Sequence, residues 1–412
     1  MPSDIRAQFE SRFGVPAVVV SRAPGRVNLI GEHTDYSELP VLPIAIEQSL
    51  FVAAAPTDDA TIHAVSLNFE GEARIDRADP HASGVPWHRY IAGAIAQLAD
   101  IAPMHGAKLL IASDLPASGG LSSSSALTMG VLAALTAAWG MAFDPEDLIR
   151  RGIVAERHVG VESGGMDQTI ITLAQPGEAL RIDFRPPART PVHLPPGLAF
   201  VVASSGEDAP KGGSARDAYN ERVVGARMAA VMLADEVGVD PDMPPTLGQV
   251  AGVDVVDILV DDLPEKVSAT EVAHGSQVGI AQLVQLTTQT YDHMTKIPVK
   301  RVARHILSEA GRVDLAVDAL RSGELASFGA HLNASHNSLR EDFRCSTPAL
   351  DRLCAAMRRA GAFGARLTGA GFGGYALGAC TPDLVPALIA AAIDATGGPA
   401  FEVHASGGLE LL

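Results

Sequence analysis

The run of residues 22–36 constrains the fold and the chemistry of this chain more than any other segment. It reads Arg-Ala-Pro-Gly-Arg-Val-Asn-Leu-Ile-Gly-Glu-His-Thr-Asp-Tyr and places Glu32, His33 and Asp35 within four residues. The apolar pair Leu29-Ile30 comes just before these polar side chains, so part of the cluster is expected to be buried. Since a buried polar group without a partner costs about 1–3 kcal/mol, the pattern favours a binding site for a small polar ligand over a solvated turn.

The composition indicates a compact globular chain. Its 412 residues suggest two or three domains of roughly 150 residues each. A hydrophobic content of 47% supplies ample core, and the charged content of 19% lies below the usual value of about 25%. The 31 basic and 48 acidic residues give a formal net charge of −17, and no run of lysine or arginine forms a basic patch. A nucleic-acid binder needs such a patch, so we expect no nucleic-acid partner.

The cysteines and the N-terminus indicate an intracellular protein. Cys345, Cys354 and Cys380 form no C-x-x-C pair, and an odd number leaves one unpaired in any disulfide scheme. The first ten residues are polar and do not resemble a signal peptide. No apolar stretch reaches the length of about 20 residues that spans a bilayer. We therefore expect a cytoplasmic protein without a membrane partner, and we expect it to be a monomer.

Hydrophobic spacing and turn residues predict an α+β fold. The predicted strands are 18–22, 43–55, 107–113 and 401–405, with a strand–turn–strand unit over 367–380. The predicted helices are 3–13, 122–139, 214–236, 300–332 and 384–395, and a further helix begins at Asp144, which can cap it. Strands and helices alternate irregularly, which favours α+β over a doubly wound sheet. Two proline pairs, at 186–187 and 195–196, suggest a boundary between two domains, 1–195 and 196–412.

A serine-rich loop over 115–127 joins a predicted strand to a predicted helix. It reads Leu-Pro-Ala-Ser-Gly-Gly-Leu-Ser-Ser-Ser-Ser-Ala-Leu. Gly119 and Gly120 allow a ligand to approach the backbone closely, and the helix N-terminus that follows presents free N–H groups to an anion. The alternative, a flexible Gly/Ser linker, is disfavoured because an apolar helix follows at once. The loop is therefore typical of a phosphate-binding site, although the chain has no Walker lysine motif.

Two carboxylates and a third glycine-rich segment follow. Glu156 lies near the end of the helix that begins at Asp144, and Asp167 follows a glycine pair. Taken alone, each acid would be an ordinary surface charge. Residues 369–374 match the G-x-G-x-x-G fingerprint of dinucleotide-binding proteins, but that fingerprint requires a helix after the glycines. Because residues 375–380 read as a strand, a nicotinamide-dependent oxidoreductase is the least favoured interpretation.

The chain resembles the galactokinases, a branch of the GHMP family of small-molecule kinases. The resemblance lies in three motifs that occur in the same order: the run 22–36, the serine loop 115–127 and the glycine-rich segment 369–374. The resemblance implies two α+β domains with the active site in the cleft between the N-terminal and the C-terminal domain. It also implies ATP- and Mg²⁺-dependent phosphorylation of a sugar at the C1 hydroxyl, with galactose as the expected substrate. ATP and a small sugar would then be the partners of the chain, and Mg²⁺ its cofactor.

The resemblance also implies roles for individual residues. The sugar would be bound by Glu32, His33, Thr34, Asp35, Gly165 and Tyr219. ATP would be bound by Ser66, Ser118, Gly119, Gly120, Leu121, Ser122, Ser123 and Ser124, and Mg²⁺ by Ser124 and Glu156. Asp167 would face the reacting hydroxyl, either as a general base or as an electrostatic stabiliser. Arg26 would pair with Asp167 and keep it ionised.

The chain also departs from the usual galactokinase pattern. Ser37, Glu38 and Leu39 stand where galactokinases usually have Asn-x-Gly, and Ser163 stands in place of a cysteine. The serine run and the short interval before Asp167 are more similar to N-acetylgalactosamine kinases. Kinases of N-acetylgalactosamine or L-arabinose therefore remain alternatives. A non-catalytic sugar sensor is the alternative of another class.

Overall fold

The computed structural model describes residues 5–412 except 78–86, 100–105, 117–119, 143, 161–163, 208–213, 241–244, 254, 277, 280–291 and 293. The helices in this part are α1 Ile5–Phe13, α2 His88–Ala96, α3 Ser123–Ala138, α4 Pro145–Arg157, α5 Met166–Leu173, α6 Ser214–Val237, α7 Val256–Asp262, α8 Ala269–Gly275, α9 Lys300–Ser322, α10 Leu325–Ser338, α11 Pro348–Arg359 and α12 Val385–Thr396. The strands are β1 Val19–Ile30, β2 Leu42–Thr57, β3 Thr61–Ser66, β4 Glu72–Asp76, β5 Gly106–Ser113, β6 Glu178–Phe184, β7 Pro187–His193, β8 Ala199–Ser204, β9 Lys266–Val267, β10 Ile297–Pro298, β11 Gly364–Thr368, β12 Tyr375–Cys380, β13 Ala400–Val403 and β14 Glu410–Leu411.

The first large sheet has six strands in the order β14-β1-β2-β5-β3-β4. Its neighbouring strands are antiparallel except for β3 and β5, which are parallel. Strand β1 runs to Ile30, although the sequence predicts a strand only over 18–22. The register against β2 shifts between Pro24 and Arg26, because proline has no amide hydrogen and interrupts a regular ladder. This longer strand carries Arg26 into the centre of the molecule.

Helix α3 packs across β1 and β2, where small side chains allow a close approach. The hydroxyl of Ser21 donates a hydrogen bond to the carbonyl of Gly130 at 2.7 Å. A Cβ atom at Gly130 would lie only 3.3 Å from the side chain of Val52. The main-chain N–H of Arg26 donates to the carbonyl of Leu121 at 3.2 Å. These contacts bring the N-terminus of α3 alongside the strand that carries Arg26.

The second large sheet has four antiparallel strands in the order β11-β12-β8-β13. Helices α10, α11 and α12 lie against it. Helix α10 crosses β11 so closely that a Cβ atom at Gly364 would lie 2.1 Å from the carbonyl oxygen of Gly329. Strand β11 leads directly into the glycine loop 369–374, so the packing of α10 positions that loop.

Both halves of the chain contribute to one hydrophobic cluster, which contains Leu29 of the first sheet and Phe200 of the second. The terminal strand β14 returns to the first sheet, where Leu411 pairs with Ser21. The α+β class predicted from the sequence is confirmed. The division at residues 195 and 196 stays a prediction, since the second part of the chain also supplies a strand to the first sheet.

One predicted helix differs from the structure. Residues 300–332 form parts of two helices, α9 and α10, which are separated at Gly323 with φ of +74°. Glycine adopts this left-handed conformation without steric cost and ends the first helix. In the described part of the chain, no helix has both the length and the apolar character needed to cross a membrane.

Candidate active site

A cavity of about 930 Å³ lies where the two halves of the chain meet. Twelve residues that the sequence predicts for the site line it: Arg26, Glu32, His33, Asp35, Ser66, Gly120, Ser122, Ser123, Ser124, Glu156, Asp167 and Tyr219. Thr34, Leu121 and Gly165 are described but lie outside the lining. Ser118 and Gly119 fall outside the described residues. The lining also includes Gly369–Phe372 of the third glycine motif, so all three motifs meet at one cavity.

Arg26 and Asp167 form a bidentate ion pair in the wall of this cavity. The Nε atom of Arg26 donates to Oδ1 of Asp167 at 2.7 Å, and Nη2 donates to Oδ2 at 2.9 Å. The third guanidinium nitrogen donates to the carbonyl of Gly120. Burial alone would lower the pKa of Arg26, but the negative charges of Asp167 and Glu32 raise it. The guanidinium therefore stays charged, and its fork fixes the plane of the carboxylate.

The serine loop reaches the same carboxylate. Ser122 has φ of +59°, a left-handed conformation that is unusual for a residue other than glycine. Its hydroxyl donates to Oδ2 of Asp167, and the hydroxyl of Ser125 donates to the same oxygen at 3.3 Å. Three side chains thus hold Asp167 in one orientation at the N-terminus of α3.

The two glycine loops touch backbone to backbone. Gly120 has φ of +101°, and a Cβ atom there would lie 2.9 Å from the carbonyl oxygen of Thr368. A Cβ atom at Gly369 would lie 2.8 Å from the Cα of Gly120. Neither position has room for a side chain, which explains why both loops carry glycine at the contact.

Glu32 links the signature loop, which is the part of the run 22–36 after strand β1 (residues 31–36), to the second half of the chain. Its Oε2 atom accepts hydrogen bonds from Asn28 at 2.6 Å and from the guanidinium of Arg366 at 2.9 Å. Its Oε1 atom accepts from the backbone N–H of Gly369. Burial raises the pKa of Glu32, while Arg366 and Arg26 oppose this shift. The carboxylate is therefore both part of the cavity wall and a connector between β1 and the third glycine motif.

His33 and Tyr219 form an aromatic wall. The imidazole of His33 stacks on the ring of Phe343 with centroids 4.2 Å apart. The centroid of the Tyr219 ring lies 5.5 Å from the centroid of the same imidazole. The Nε2 atom lies 3.2 Å from the carbonyl oxygen of Ala370, so it carries the proton of the neutral ring. Burial lowers the pKa of His33 to about 3. The imidazole is thus a neutral hydrogen-bonding and stacking group.

The turn after His33 brings Asp35 to the cavity. The hydroxyl of Thr34 lies 2.9 Å from the carbonyl of Gly31 and 2.8 Å from that of Pro40, so it closes the turn. The carboxylate of Asp35 accepts from the backbone N–H of Gly164 at 3.2 Å. Burial, followed by the nearby negative charge of Asp167, raises the pKa of Asp35 to about 6.

Gly164 packs against the backbone of this turn, and Gly165 begins the helix that follows. A Cβ atom at Gly164 would lie 2.3 Å from the backbone nitrogen of Tyr36, so the two loops contact each other directly. Gly165 has φ of +107° and begins α5, which carries Asp167. Together they place Asp35 and Asp167 side by side.

Glu156 also lines the cavity and is almost fully buried. Burial, followed by the negative charge of Asp167, raises its pKa to about 7. Its Oε1 atom is buried without a hydrogen-bond partner in the described structure. Ser124 lines the same cavity and adds a hydroxyl oxygen. Oxygen donors of this kind suit Mg²⁺, and a buried carboxylate with a free oxygen fits a bound cation. In the described residues, no group of three or more histidine, cysteine or acidic side chains could hold a metal ion by itself.

The sequence did not predict the apolar end of the cavity. Phe69, Trp87 and Tyr90 line it together with Leu115 and Leu127. Leu115 and Leu127 lie at the two ends of the serine loop, whereas the three aromatic side chains belong to no motif, so no local signal linked them to the cavity. Next to them, the hydroxyl of Ser66 accepts hydrogen bonds from the backbone N–H groups of Asn68 and Phe69, both at 3.2 Å.

Comparison with protein families agrees with this geometry. A galactokinase galactose-binding signature matches residues 7–56. The GHMP kinase N-terminal domain matches residues 89–175, and the GHMP kinase C-terminal domain matches residues 316–398. These matches include the signature loop, the serine loop, both carboxylates and the third glycine motif.

Individual relatives cover nearly the whole chain. The chain is 36% identical to the galactokinase of Chloroflexus aurantiacus, over 95% of its own length and 91% of that protein. It is 33% identical to the galactokinase of Dictyostelium discoideum, over 89% of its length and 80% of the relative. The crystal structure of Lactococcus lactis galactokinase complexed with galactose superposes with a TM-score of 0.80 at 27% identity, and 99% of each chain is covered. Methanococcus jannaschii mevalonate kinase shares the fold, with a TM-score of 0.61 at 16% identity. The chain therefore belongs to the galactokinase family of GHMP kinases.

Proposed function

We propose that this chain transfers the γ-phosphoryl group of ATP to the C1 hydroxyl of galactose. The observation that carries the proposal is the bidentate pair of Arg26 and Asp167 at the point where the sugar signature and the serine loop meet. The galactokinase relatives over most of the chain support the same conclusion. An intact set of reactive groups disfavours a non-catalytic sensor.

Asp167 acts on the hydroxyl that attacks the phosphorus atom. As the new O–P bond forms and the bond to ADP breaks, the carboxylate accepts the hydroxyl proton or stabilises the charge that develops on that oxygen. Arg26 keeps Asp167 ionised and offsets the negative charge on the transferred group. Phosphoryl transfer depends mainly on positioning and charge stabilisation, and the three groups that fix Asp167 serve this need.

Ser124 and Glu156 would hold Mg²⁺. The ion supplies charge neutralisation for the phosphate oxygens when it is bound. The buried free oxygen of Glu156 supports this assignment.

The serine loop binds the phosphates of ATP. Gly120, Ser122 and Ser123 lie at the N-terminus of the 16-residue helix α3, where backbone N–H groups and the helix dipole favour an anion. This local field offsets the net charge of −17 of the chain. The apolar end of the cavity beside Ser66 suits the base of the nucleotide.

The sugar binds on the other side of Asp167. Asp35, His33 and Glu32 supply hydrogen-bonding groups there, and Tyr219 supplies a ring face. We also propose that the protein is cytoplasmic, because its three cysteines are free and buried, as in a reducing compartment.

Product analysis tests the proposed reaction. Incubation with ATP, Mg²⁺ and galactose should yield a sugar phosphate whose ³¹P signal couples to the proton at C1. Phosphorylation at another carbon would contradict the assignment of the C1 hydroxyl. Galactose binding without any turnover would instead support a sensor.

A further inference from the structure

Glu309 is a buried acid of helix α9 that contacts the backbone of the signature loop and does not line the cavity. Its side chain is fully buried. The Oε1 atom accepts hydrogen bonds from the backbone N–H of Gly31 at 3.1 Å and from that of Glu32 at 3.3 Å. The same oxygen accepts from the hydroxyl of Ser335 at 2.6 Å. One carboxylate oxygen thus satisfies two main-chain donors that lie 278 and 277 residues away in the sequence.

A second buried group, Arg366, completes this contact from strand β11. Its Nη1 atom donates to the carbonyl of Leu29 at 2.9 Å, and its Nη2 atom donates to the carboxylate of Glu32 at 2.9 Å. Burial would raise the pKa of Glu309, but the positive charges of Arg366 and Arg312 lower it to about 2. Glu309 is therefore an anion: its Oε2 atom accepts a hydrogen bond from Nε of Arg312 at 2.7 Å, and its charge also offsets that of the buried Arg366.

The loop needs such support because its backbone is strained. Gly31 adopts its φ of +98° without steric cost, but His33 has φ of +65°, which is unusual for a residue with a side chain. Such conformations persist only where the surrounding structure fixes them. The Nε2 atom of His305, also on α9, donates to the carbonyl of Glu32 at 3.1 Å. Helix α9 therefore holds both the N–H and the C=O of the residue that precedes His33.

We infer that Glu309 is a positioning residue for the sugar end of the active site. It touches neither cavity nor substrate, and it acts by fixing the loop that carries Glu32, His33 and Asp35. Its loss should therefore weaken sugar binding, with little effect on nucleotide binding at the serine loop. This inference rests on the proposed sugar kinase function.

The test compares three variants. Glu309→Ala removes the carboxylate oxygen that accepts from the two backbone N–H groups. Glu309→Gln keeps one acceptor oxygen but loses the charge. Leu320→Ala is the matched control, because Leu320 is buried on the same helix and lies about 16 Å further along it. Each variant is assayed for KM of galactose, KM of ATP, kcat and thermal midpoint. Amide hydrogen exchange over residues 28–36 is measured without any ligand.

Glu309→Ala should raise the KM for galactose about tenfold, because unpaired buried donors destabilise the loop. The KM for ATP should change less than about twofold, and the loop amides should exchange faster. Glu309→Gln should show a smaller rise of about threefold, since it keeps one acceptor. Leu320→Ala should lower the thermal midpoint while leaving the KM for galactose and the loop exchange unchanged.

The inference is overturned if Glu309→Ala lowers only the thermal midpoint, as the control does. If that variant does not fold, an unchanged KM for galactose and unchanged loop exchange in Glu309→Gln overturn it as well. A wild-type chain that phosphorylates no sugar would contradict the proposed function instead. The exchange measurement needs no sugar, so it still decides whether Glu309 holds the loop.

Discussion

Arg26 and Asp167 are joined by two parallel hydrogen bonds of 2.7 and 2.9 Å, although 141 residues separate them in the sequence. The pair connects strand β1 to helix α5. The carboxylate also accepts from Ser122 of the serine loop. The central reactive group is therefore held on its own helix by contacts from strand β1 and from the serine loop.

Asp167→Asn should lower kcat by about 10²- to 10⁴-fold, because the amide keeps the shape of the carboxylate but loses its charge and basicity. The fold should persist because Ser122 still donates to the remaining oxygen, but the thermal midpoint should fall, since the amide NH2 group faces one Arg26 donor and the buried guanidinium loses its counterion. Steady-state kinetics and thermal unfolding of the same preparation check this. Asp147→Asn, which alters a surface ion pair of α4, is the control and should retain full activity.

Arg26→Ala should act on the same step. Combined with Asp167→Asn, it should lower kcat by less than the product of the two single effects, because directly paired residues are coupled. A folded Asp167→Asn protein with nearly full kcat would remove Asp167 from the mechanism. Fully independent effects would contradict the coupling of the pair.

Ser124→Ala and Glu156→Ala should each raise the Mg²⁺ concentration for half-maximal activity, by about tenfold. Each substitution removes an oxygen from a site with few protein ligands. A Mg²⁺ titration at saturating ATP measures this. Glu146→Ala is the matched control, because Glu146 is an exposed acid on the same helix. If both variants titrate like wild type, Mg²⁺ is held by other groups.

The metal-free protein should lose stability as Glu156 ionises. The pKa of this carboxyl rises from 4.5 to about 7 on folding. Between these values the folded state binds more protons than the unfolded state, so the free energy of unfolding falls as pH increases. The buried side chains of His33 and His305 have lowered pKa values, so they make the free energy of unfolding rise with pH. Both histidines are present in wild type and in the Glu156→Gln variant, so their contribution cancels when the two proteins are compared.

The difference in unfolding free energy between wild type and Glu156→Gln isolates this effect. It should decrease from pH 5 to about pH 7 and level off above, because glutamine does not titrate. Denaturant unfolding in the presence of a chelator, repeated across this pH range, measures it. A difference that stays flat or increases with pH would show that Glu156 is not a buried neutral acid in the free protein.

The motifs could be recognised in the sequence because each of them is local. The serine run, the glycines before Asp167 and the strand after residues 369–374 all follow from short-range chemistry. The α+β class also followed from the spacing of apolar residues. The interruption of β1 at Pro24 concealed its length, since pairing with β2 continues across the irregular register.

Contacts between distant segments could not be predicted in the same way. Glu309 occupies a helix that reads as ordinary amphipathic sequence, and no local pattern shows that it faces Gly31. The same holds for Arg366, the one charged residue of the buried strand β11. The close approach of Gly120 and Gly369 likewise depends on how the two halves pack. Such relationships come from tertiary structure and not from local propensity.

The most direct test of the account is kcat/KM for galactose, N-acetylgalactosamine, L-arabinose and glucose, measured by ADP release with ATP and Mg²⁺. Galactose should give the highest value, and glucose, which inverts only the hydroxyl at C4, should be strongly disfavoured because buried polar groups of the site would lose their partners. A preference for N-acetylgalactosamine would change the substrate but not the reaction. A preference for glucose, or no turnover with any of the four sugars, would contradict the account.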